Sequence, residues 1–253
     1  MKRLLLYIIV LSISASQFSF ATTMNEGIAA YQETNYTKAI ELFTQVLSEN
    51  GSTAEAYYNL ASAYYKNGNI GPAVLNFHRA YRLDPSDGDT RYNLRFVSSQ
   101  VTDKIEETPK LFISRWLDSL SHWFGLSTWR ALSAIFIVLV ATGVFFYFRG
   151  RSITTRRIGF YGGVCSVVLA LLVNIMAYRS YSFTHENKEA ILMSSITTIK
   201  SSPDASAKDI AVVHEGLHVK TLQNLSGYTE VRLPDGTVGW IPMDSYELIN
   251  DFD

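Results

Sequence analysis

The sequence predicts a multi-domain membrane protein: an all-α stack of helical repeats, then a two-helix transmembrane hairpin, then a small all-β domain. Three observations lead to this prediction. Small and apolar residues recur with a period of 34 between residues 25 and 97. Two long apolar segments, at 131–148 and 158–178, flank an arginine-rich turn. From residue 190 onward, apolar residues alternate with polar ones, which is typical of strands.

The repeat is clearest at its small residues. Gly27 returns as Ala61 and Ala39 returns as Ala73, each 34 residues later. A 34-residue unit with small residues at fixed points resembles the tetratricopeptide repeat (TPR), a helix–turn–helix unit. The resemblance implies two repeats plus a capping helix over residues 22–102, stacked so that a groove can bind other polypeptides. It points to a protein that holds partners and away from an enzyme.

Candidate binding residues follow from the same register. Asn25, Asn59 and Asn93 take one position in three successive first helices, and that position faces the groove in TPR stacks. A carboxamide both donates and accepts hydrogen bonds, so these residues suit the backbone of an extended peptide. The alternative is that each asparagine bonds within its own stack. Further groove candidates in the second repeat are Tyr58, Ser62 and Tyr65.

Composition narrows the function classes. The chain has 253 residues with 22 Lys and Arg against 23 Asp and Glu, so its net charge is −1 and no basic face indicates nucleic acid. Cys165 is the sole cysteine, which excludes an intramolecular disulfide and a zinc-type cysteine pair. His214 and His218 lack further ligands at workable spacing, and no catalytic set or phosphate loop is visible. We therefore expect no catalytic residue, no metal and no cofactor.

The N-terminus predicts export. Lys2 and Arg3 precede an apolar run, and small residues ending at Ala21 complete the pattern of a secretory signal peptide over residues 1–21. The alternative is an uncleaved N-terminal anchor. The apolar run is shorter than the roughly 17–25 residues that a spanning helix needs, which favours the signal peptide.

The two long apolar segments predict the topology. The intervening loop, residues 149–157, contains Arg149, Arg151, Arg156 and Arg157. Positive charge concentrates in cytoplasmic loops, so this loop is expected inside and both flanking domains outside. The signal peptide independently exports the repeats. We therefore expect a multi-pass inner-membrane protein with two periplasmic domains; the alternative is a buried hairpin within a globular core.

Residues 103–130 are expected to form a linker and an interfacial amphipathic helix. Phe112, Trp116 and Leu120 recur at helical spacing, and Trp123, Phe124 and Trp129 follow before the first span. A Trp-rich amphipathic helix beside a span typically lies at the membrane surface. The alternative is that it packs back under the repeat stack.

The C-terminal residues 190–253 resemble the bacterial SH3-like domain family. The resemblance rests on Val231-Arg232-Leu233, Asp235-Gly236 and Gly239-Trp240-Ile241-Pro242, with Gly216 before a predicted strand. It implies a small β-barrel that binds peptides or peptidoglycan. Tyr228 and Trp240 are the candidate ligand-contacting aromatics, and packing within the barrel is the alternative role of Trp240.

The order of the four parts resembles the BatE-type proteins of bacterial aerotolerance operons. Asp84-Pro85, Arg91-Tyr92-Asn93-Leu94 and Asp103-Lys104-Ile105-Glu106 are in the same style. The resemblance implies a non-catalytic envelope scaffold, encoded with a MoxR-type ATPase and with membrane proteins carrying von Willebrand A domains, which would be its partners. The alternative function is a peptidoglycan receptor that acts through the SH3-like domain.

Overall fold

The computed structural model describes residues 22–105, 112–185 and 188–250, which divide into two compact units. The first unit combines residues 22–105 with residues 188–250, and the second comprises residues 112–185. The predicted signal peptide at 1–21 and part of the acidic linker lie outside the described residues.

A helical stack forms the N-terminal part of the first unit, as the repeat predicts. The turns before the second, third and fifth helices are each fixed by a side chain that accepts a hydrogen bond from a backbone N–H group at the start of the next helix. Asn35 accepts from Lys38, Thr53 from Ala56, and Asp87 from Thr90. The helices are α1 (22–32), α2 (Tyr36–Asn50), α3 (Ala54–Lys66), α4 (Ile70–Leu83) and α5 (Gly88–Ser98).

The small repeat residues lie where the helices pack most closely. Ala39, Ala61 and Ala73 are fully buried. At Gly27, a Cβ atom would lie 2.6 Å from Cε1 of Phe43, which is closer than any carbon–carbon contact allows. The 34-residue spacing of small residues is therefore a packing requirement of the stack.

The C-terminal part of the first unit is an antiparallel sheet. Within residues 188–250, seven strands pair in the order β3-β2-β6-β5-β4-β1-β7. The turn between β5 and β6 is tight, with Gly236 at φ +94° and Asp235 accepting from the Thr237 N–H at 2.8 Å. The strands are β1 (Glu189–Leu192), β2 (Ile196–Lys200), β3 (Asp209–His214), β4 (His218–Leu225), β5 (Tyr228–Arg232), β6 (Val238–Pro242) and β7 (Tyr246–Leu248).

The stack and the sheet share one hydrophobic core, although the sequence analysis assigns them to separate domains. Ile191 of β1 and Ile249 after β7 are fully buried in the same cluster as Val74 and Phe77 of α4. A second cluster lies within the sheet and includes Ile199, Val231 and Ile241. The second helix of the second repeat is thus the element that packs against the sheet.

The second unit consists of three helices. They are α6 (Phe112–Ser121), α7 (Leu126–Arg149) and α8 (Ile153–His185). Both α7 and α8 are long and apolar enough to cross a membrane, and each extends beyond the predicted span at both ends. They approach each other closely at Gly143, where a Cβ atom would lie 2.7 Å from Cα of Gly163. Backbone atoms of the two helices are therefore nearly in contact there.

Helix α6 packs along one edge against the end of α8 that lies far from the arginine turn. Leu117 and Leu120 join Trp129 and Met176 in an apolar cluster, and Asp118 forms an ion pair with Arg179. The other apolar edge is exposed: it comprises Phe112, Ile113 and Trp116. The helix therefore has two apolar edges, of which one is covered by protein.

Candidate functional site: an aromatic surface on the helical stack

Aromatic side chains of α1, α3 and α5 form one surface of the stack. Tyr58 of α3 and Tyr92 of α5 stand 34 residues apart, as do Tyr31 of α1 and Tyr65 of α3. We call this the aromatic surface and define it by Tyr31, Tyr58, Tyr65, Tyr92 and Phe96.

Contacts between helices show that these aromatic residues are neighbours. The rings of Tyr65 and Phe96 meet edge to face at 5.7 Å between centroids. Burial, then the charges of nearby Tyr36 and Tyr58, raise the pKa of Tyr31, so Tyr31 and Tyr58 lie close together. Tyr92 and Phe96 remain 64% and 42% exposed, so the α5 end of the surface presents bare aromatic rings to a partner. Exposed rings of this kind are typical of the residues that dominate binding energy at protein interfaces.

Tyr58 links α3 to α5. Its hydroxyl accepts a hydrogen bond from Nδ2 of Asn93 at 2.8 Å, and its ring meets Phe77 edge to face at 5.7 Å. Burial, and then the charges of Asp89 and Asp87, raise the pKa of Tyr58, so its hydroxyl stays protonated at neutral pH. These contacts hold the Tyr58 side chain in place against α4 and α5.

The α5 end of the aromatic surface carries charges of both signs. Asp87 caps α5, accepting from the Thr90 N–H at 3.0 Å and from the Thr90 hydroxyl. The side-chain hydrogen bond from Thr90 is the main cause that lowers the pKa of Asp87, so the carboxylate is charged. Asp89 is exposed beside it. Arg91 and Arg95 of α5 are exposed as well, so a partner that docks here meets aromatic rings bordered by charges of both signs.

The three predicted groove asparagines occupy different surroundings. Asn25 is exposed, Asn59 is half-buried, and Asn93 bonds to Tyr58. The Asn93 bond favours the structural alternative for that residue, because its carboxamide is already engaged within the stack. Asn25 and Asn59 stay predicted binding residues. Ser62 donates its hydroxyl to the Tyr58 carbonyl at 2.9 Å, one turn earlier in its own helix.

The predicted aromatic pair of the sheet lies on the side facing away from the sheet's core. In β5 and β6, Glu230 pairs with Trp240 and Tyr228 pairs with Pro242, so Tyr228 and Trp240 are diagonal neighbours on one face. Trp240 is only 8% exposed, and Tyr228 is half-buried. The burial of Trp240 favours packing as its role, while ligand contact through Tyr228 stays a prediction.

Sequence reasoning missed Tyr31, Tyr92 and Phe96 as site residues. A signal was present, since the 34-residue period that relates the asparagines also relates Tyr58 to Tyr92. Phe96 follows the same period from Ser62, where the residue type changes and hides the correspondence. The exposure of its ring comes from the end position of α5 in the stack.

Comparisons with known proteins identify the helical stack. Residues 24–88 match the tetratricopeptide repeat family. A 58-residue segment is 40% identical to the SGT1 homolog of rice, Oryza sativa subsp. japonica. The match covers 23% of this chain and spans only 16% of the length of the rice protein. The chain is therefore a TPR-containing protein, and such repeats are typically non-catalytic modules for protein–protein interaction.

Proposed function

We propose that this protein is a non-catalytic scaffold of the bacterial inner membrane that binds envelope proteins through the aromatic surface. The exposed rings of Tyr92 and Phe96, next to the Asp87 and Asp89 carboxylates, are the observation that supports binding. By its resemblance to BatE-type proteins, its setting is an aerotolerance or stress-related complex. Its partners are then membrane proteins with von Willebrand A domains.

The binding role predicts a loss of partner capture when the bare rings are removed. Tyr92→Ala combined with Phe96→Ala should weaken binding at least tenfold, because each buried aromatic ring contributes about 1.5–3 kcal/mol and each decade of affinity is about 1.4 kcal/mol. The measurement is recovery of von Willebrand A-domain proteins with the tagged full-length chain from solubilised native membranes, quantified by mass spectrometry.

A photo-crosslinking amino acid in place of Phe96 gives a second test of the aromatic surface, with position 41 as its matched control. Crosslinks should form from position 96 and not from Glu41, which is exposed on α2 away from the aromatic surface. Equal capture from positions 41 and 96, or undiminished recovery with the double alanine variant, would refute the aromatic surface as the binding site.

The membrane assignment is supported by the exposure of both long helices. Side chains such as Val138, Phe148 and Leu171 are 64%, 71% and 61% exposed. A soluble protein rarely leaves apolar surface of that extent uncovered, whereas lipid would cover it. The exposed Phe112–Trp116 edge of α6 lies beside the end of the hairpin opposite the arginine turn, where an interfacial helix outside the cytoplasm is expected.

The order of the parts along the chain gives further support to the membrane assignment. The stack precedes the two apolar helices and the sheet follows them, yet both parts pack into one core, so they must lie on the same side of any membrane. Two spans satisfy this condition, and the arginine turn assigns the opposite side to the cytoplasm. The flanking parts then lie in the periplasm.

We expect thiol labelling to report this out–in–out topology. In a Cys165→Ser background, the variants Asn50→Cys and Glu230→Cys should react with a membrane-impermeant maleimide in intact spheroplasts. Ile153→Cys, in the arginine turn, should react only after permeabilisation. Reaction at position 153 in intact spheroplasts would contradict the topology.

A second candidate function is a peptidoglycan receptor. It is favoured by a cleft of about 310 Å³ on the sheet, lined by Lys188, Thr221, Gln223, Asn224 and Tyr246 among others. Hydroxyl and amide groups with one cation suit an acidic, sugar-containing ligand. Saturable binding of purified muropeptides to the full chain, abolished by Asn224→Leu and retained in the Tyr92/Phe96 double variant, would favour the receptor over the scaffold.

A further inference from the structure

The contact between α4 and the sheet is bordered by polar groups of opposite charge. Arg79 of α4 donates to the carbonyl oxygens of Leu248 and Ile249 at 3.1 and 3.3 Å, and lies 3.4 Å from a carboxylate oxygen of Glu247. Its guanidinium also covers the ring of Tyr57. These ties fix the orientation of the sheet on the stack.

Directly before Arg79 in α4, His78 faces His218 of β4 across the same contact. The imidazoles of His78 and His218 stack at 5.2 Å between centroids, with the rings nearly parallel. Glu189 of β1 accepts from Nε2 of His218 at 3.2 Å and forms an ion pair with the buried guanidinium of Arg82. The groups that face His78 are thus His218 from β4, Arg82 from its own helix, and Glu189 from β1.

The cluster contains one carboxylate for three groups that can be cationic. Arg82 already uses Glu189, and a protonated His218 would share it. A proton on His78 would therefore place a third positive charge beside the first two, with no further carboxylate facing it among the residues that the structure describes. Stacked imidazoles are compatible with neutral rings and unfavourable when both are charged.

We propose that this cluster makes the contact between the TPR stack and the C-terminal sheet an acid-sensitive joint, which opens when His78 is protonated. The proposal goes beyond the binding role and does not depend on it. A joint facing the periplasm would be exposed to the pH of the surroundings, and histidine is the side chain that titrates in that range. Opening would separate α4 from β1 and alter how the two binding parts are presented to a partner.

The direction of the pH effect follows from the two perturbed groups. Burial, then the charges of His218 and Arg82, lower the pKa of His78 to about 3 from its usual 6.5. The closed joint therefore binds fewer protons than the open one, and closure is lost as pH falls below 6.5. Although burial opposes its ionisation, the hydrogen bond from His218 and the charge of Arg82 lower the pKa of Glu189 to about 2. The contribution of Glu189 to closure of the joint is lost only below pH 4.5. His78 therefore controls the pH dependence between pH 6.5 and pH 4.5.

Hydrogen–deuterium exchange of the full chain in nanodiscs measures the joint directly. A complete shift of His78 would raise the open-to-closed ratio about thirtyfold between pH 7.5 and pH 5. Because the residue keeps partial contact with solvent, we expect about tenfold. Protection factors, corrected for intrinsic exchange, should fall by that factor in peptides of α4 and β1 and stay constant in α2.

Two variants assign the effect to His78. His78→Phe keeps an aromatic ring against His218 and removes the proton site, so the fall in protection should shrink to less than about threefold. His185→Gln, in the other compact unit, should leave the tenfold fall intact. If His78→Phe does not fold, His78→Asn serves the same comparison. An unchanged protection factor in the wild type, an equal fall in α2, or a full response in the His78 variant would each overturn the proposal.

Discussion

Replacing Ala73 with tryptophan should strongly destabilise the whole first unit. Ala73 is fully buried, and its cluster contains Val74 and Phe77 of α4 together with Ile191 and Ile249 from the sheet side. Overpacking a tight site typically costs about 1–3 kcal/mol, and an indole at a site that accommodates only a methyl group belongs at or above the upper limit. A cost of about 3 kcal/mol corresponds to a Tm fall of roughly 6–12 °C for a unit of this size.

The measurement is thermal melting of the full chain in detergent, followed by far-ultraviolet circular dichroism. Ala29→Trp is the matched control, because Ala29 is exposed on α1 and should tolerate the indole. Since the sheet shares the Ala73 cluster, its tertiary signal should disappear at the same temperature as the helical signal. A variant that melts like the wild type would mean that the repeat register is wrong, and separate transitions would show that the stack and sheet are uncoupled.

The repeat register was predictable because every part of its signal is local. The helices are short, their first turns are capped by Asn35, Thr53 and Asp87, and the small residues recur every 34 positions. Local propensity and packing therefore agree, which is the condition under which sequence patterns predict structure. The sequence predicts that the capping helix ends at about residue 102, whereas α5 ends at Ser98.

The sheet was predicted in part. The sequence predicts strands around Ala190, Val219, Tyr228 and Trp240, because apolar and polar residues alternate there. A strand is present at each of the four positions. Three strands were missed: β2, β3 and β7. Both faces of β3 carry apolar residues, since Ile210 and Val212 are exposed while Val213 is buried, so its sequence lacks the apolar–polar alternation on which recognition depends.

The contact between the stack and the sheet had no signal in the sequence. Arg82 and Glu189 are 107 residues apart, and Arg79 and Glu247 are 168 apart. In the sequence, each of these residues looks like an ordinary surface charge on its own element. The sequence of α4 has the complete amphipathic pattern of a repeat helix, and nothing in that pattern indicates contact with a sheet. Contacts of this kind arise only when two finished surfaces meet, so neither periodicity nor spacing reveals them.

The same limit applies to the candidate site. The sequence placed its candidate residues on helices that also carry the aromatic surface, but it ranked asparagines above aromatics, because a repeated Asn has an obvious hydrogen-bonding role. Exposure decides which side chains are available to a partner, and exposure of Tyr92 and Phe96 depends on α5 being the last helix of the stack. The position of a residue within the repeat can be predicted from the sequence. Its position relative to the open end of the stack can be seen only in the structure.

A second large effect is expected at a close approach of α7 and α8, where a larger side chain should separate the two helices. At Gly143, a Cβ atom would lie 2.7 Å from Cα and 2.9 Å from N of Gly163, both backbone atoms that cannot rotate away. Carbon atoms pack at about 3.5–4.0 Å, so Gly143→Ile must force α7 and α8 apart by about 1 Å or more. Helix association in lipid relies on close van der Waals packing, so the hairpin should lose most of its contact rather than adapt.

Gly162 provides a control one residue away from the crossing. It is exposed on α8, and a Cβ atom there would meet nothing within 4 Å, so Gly162→Ile should be silent. Spin labels at Val138 and Leu171, both exposed, report the separation of the helices by pulsed electron resonance in nanodiscs, in a Cys165→Ser background. Gly143→Ile should lengthen and broaden that distance distribution, because the backbone contact that defines it is lost. If both isoleucine variants match the wild type, the two helices do not pack through these glycines, and the spans must be held together by partners instead.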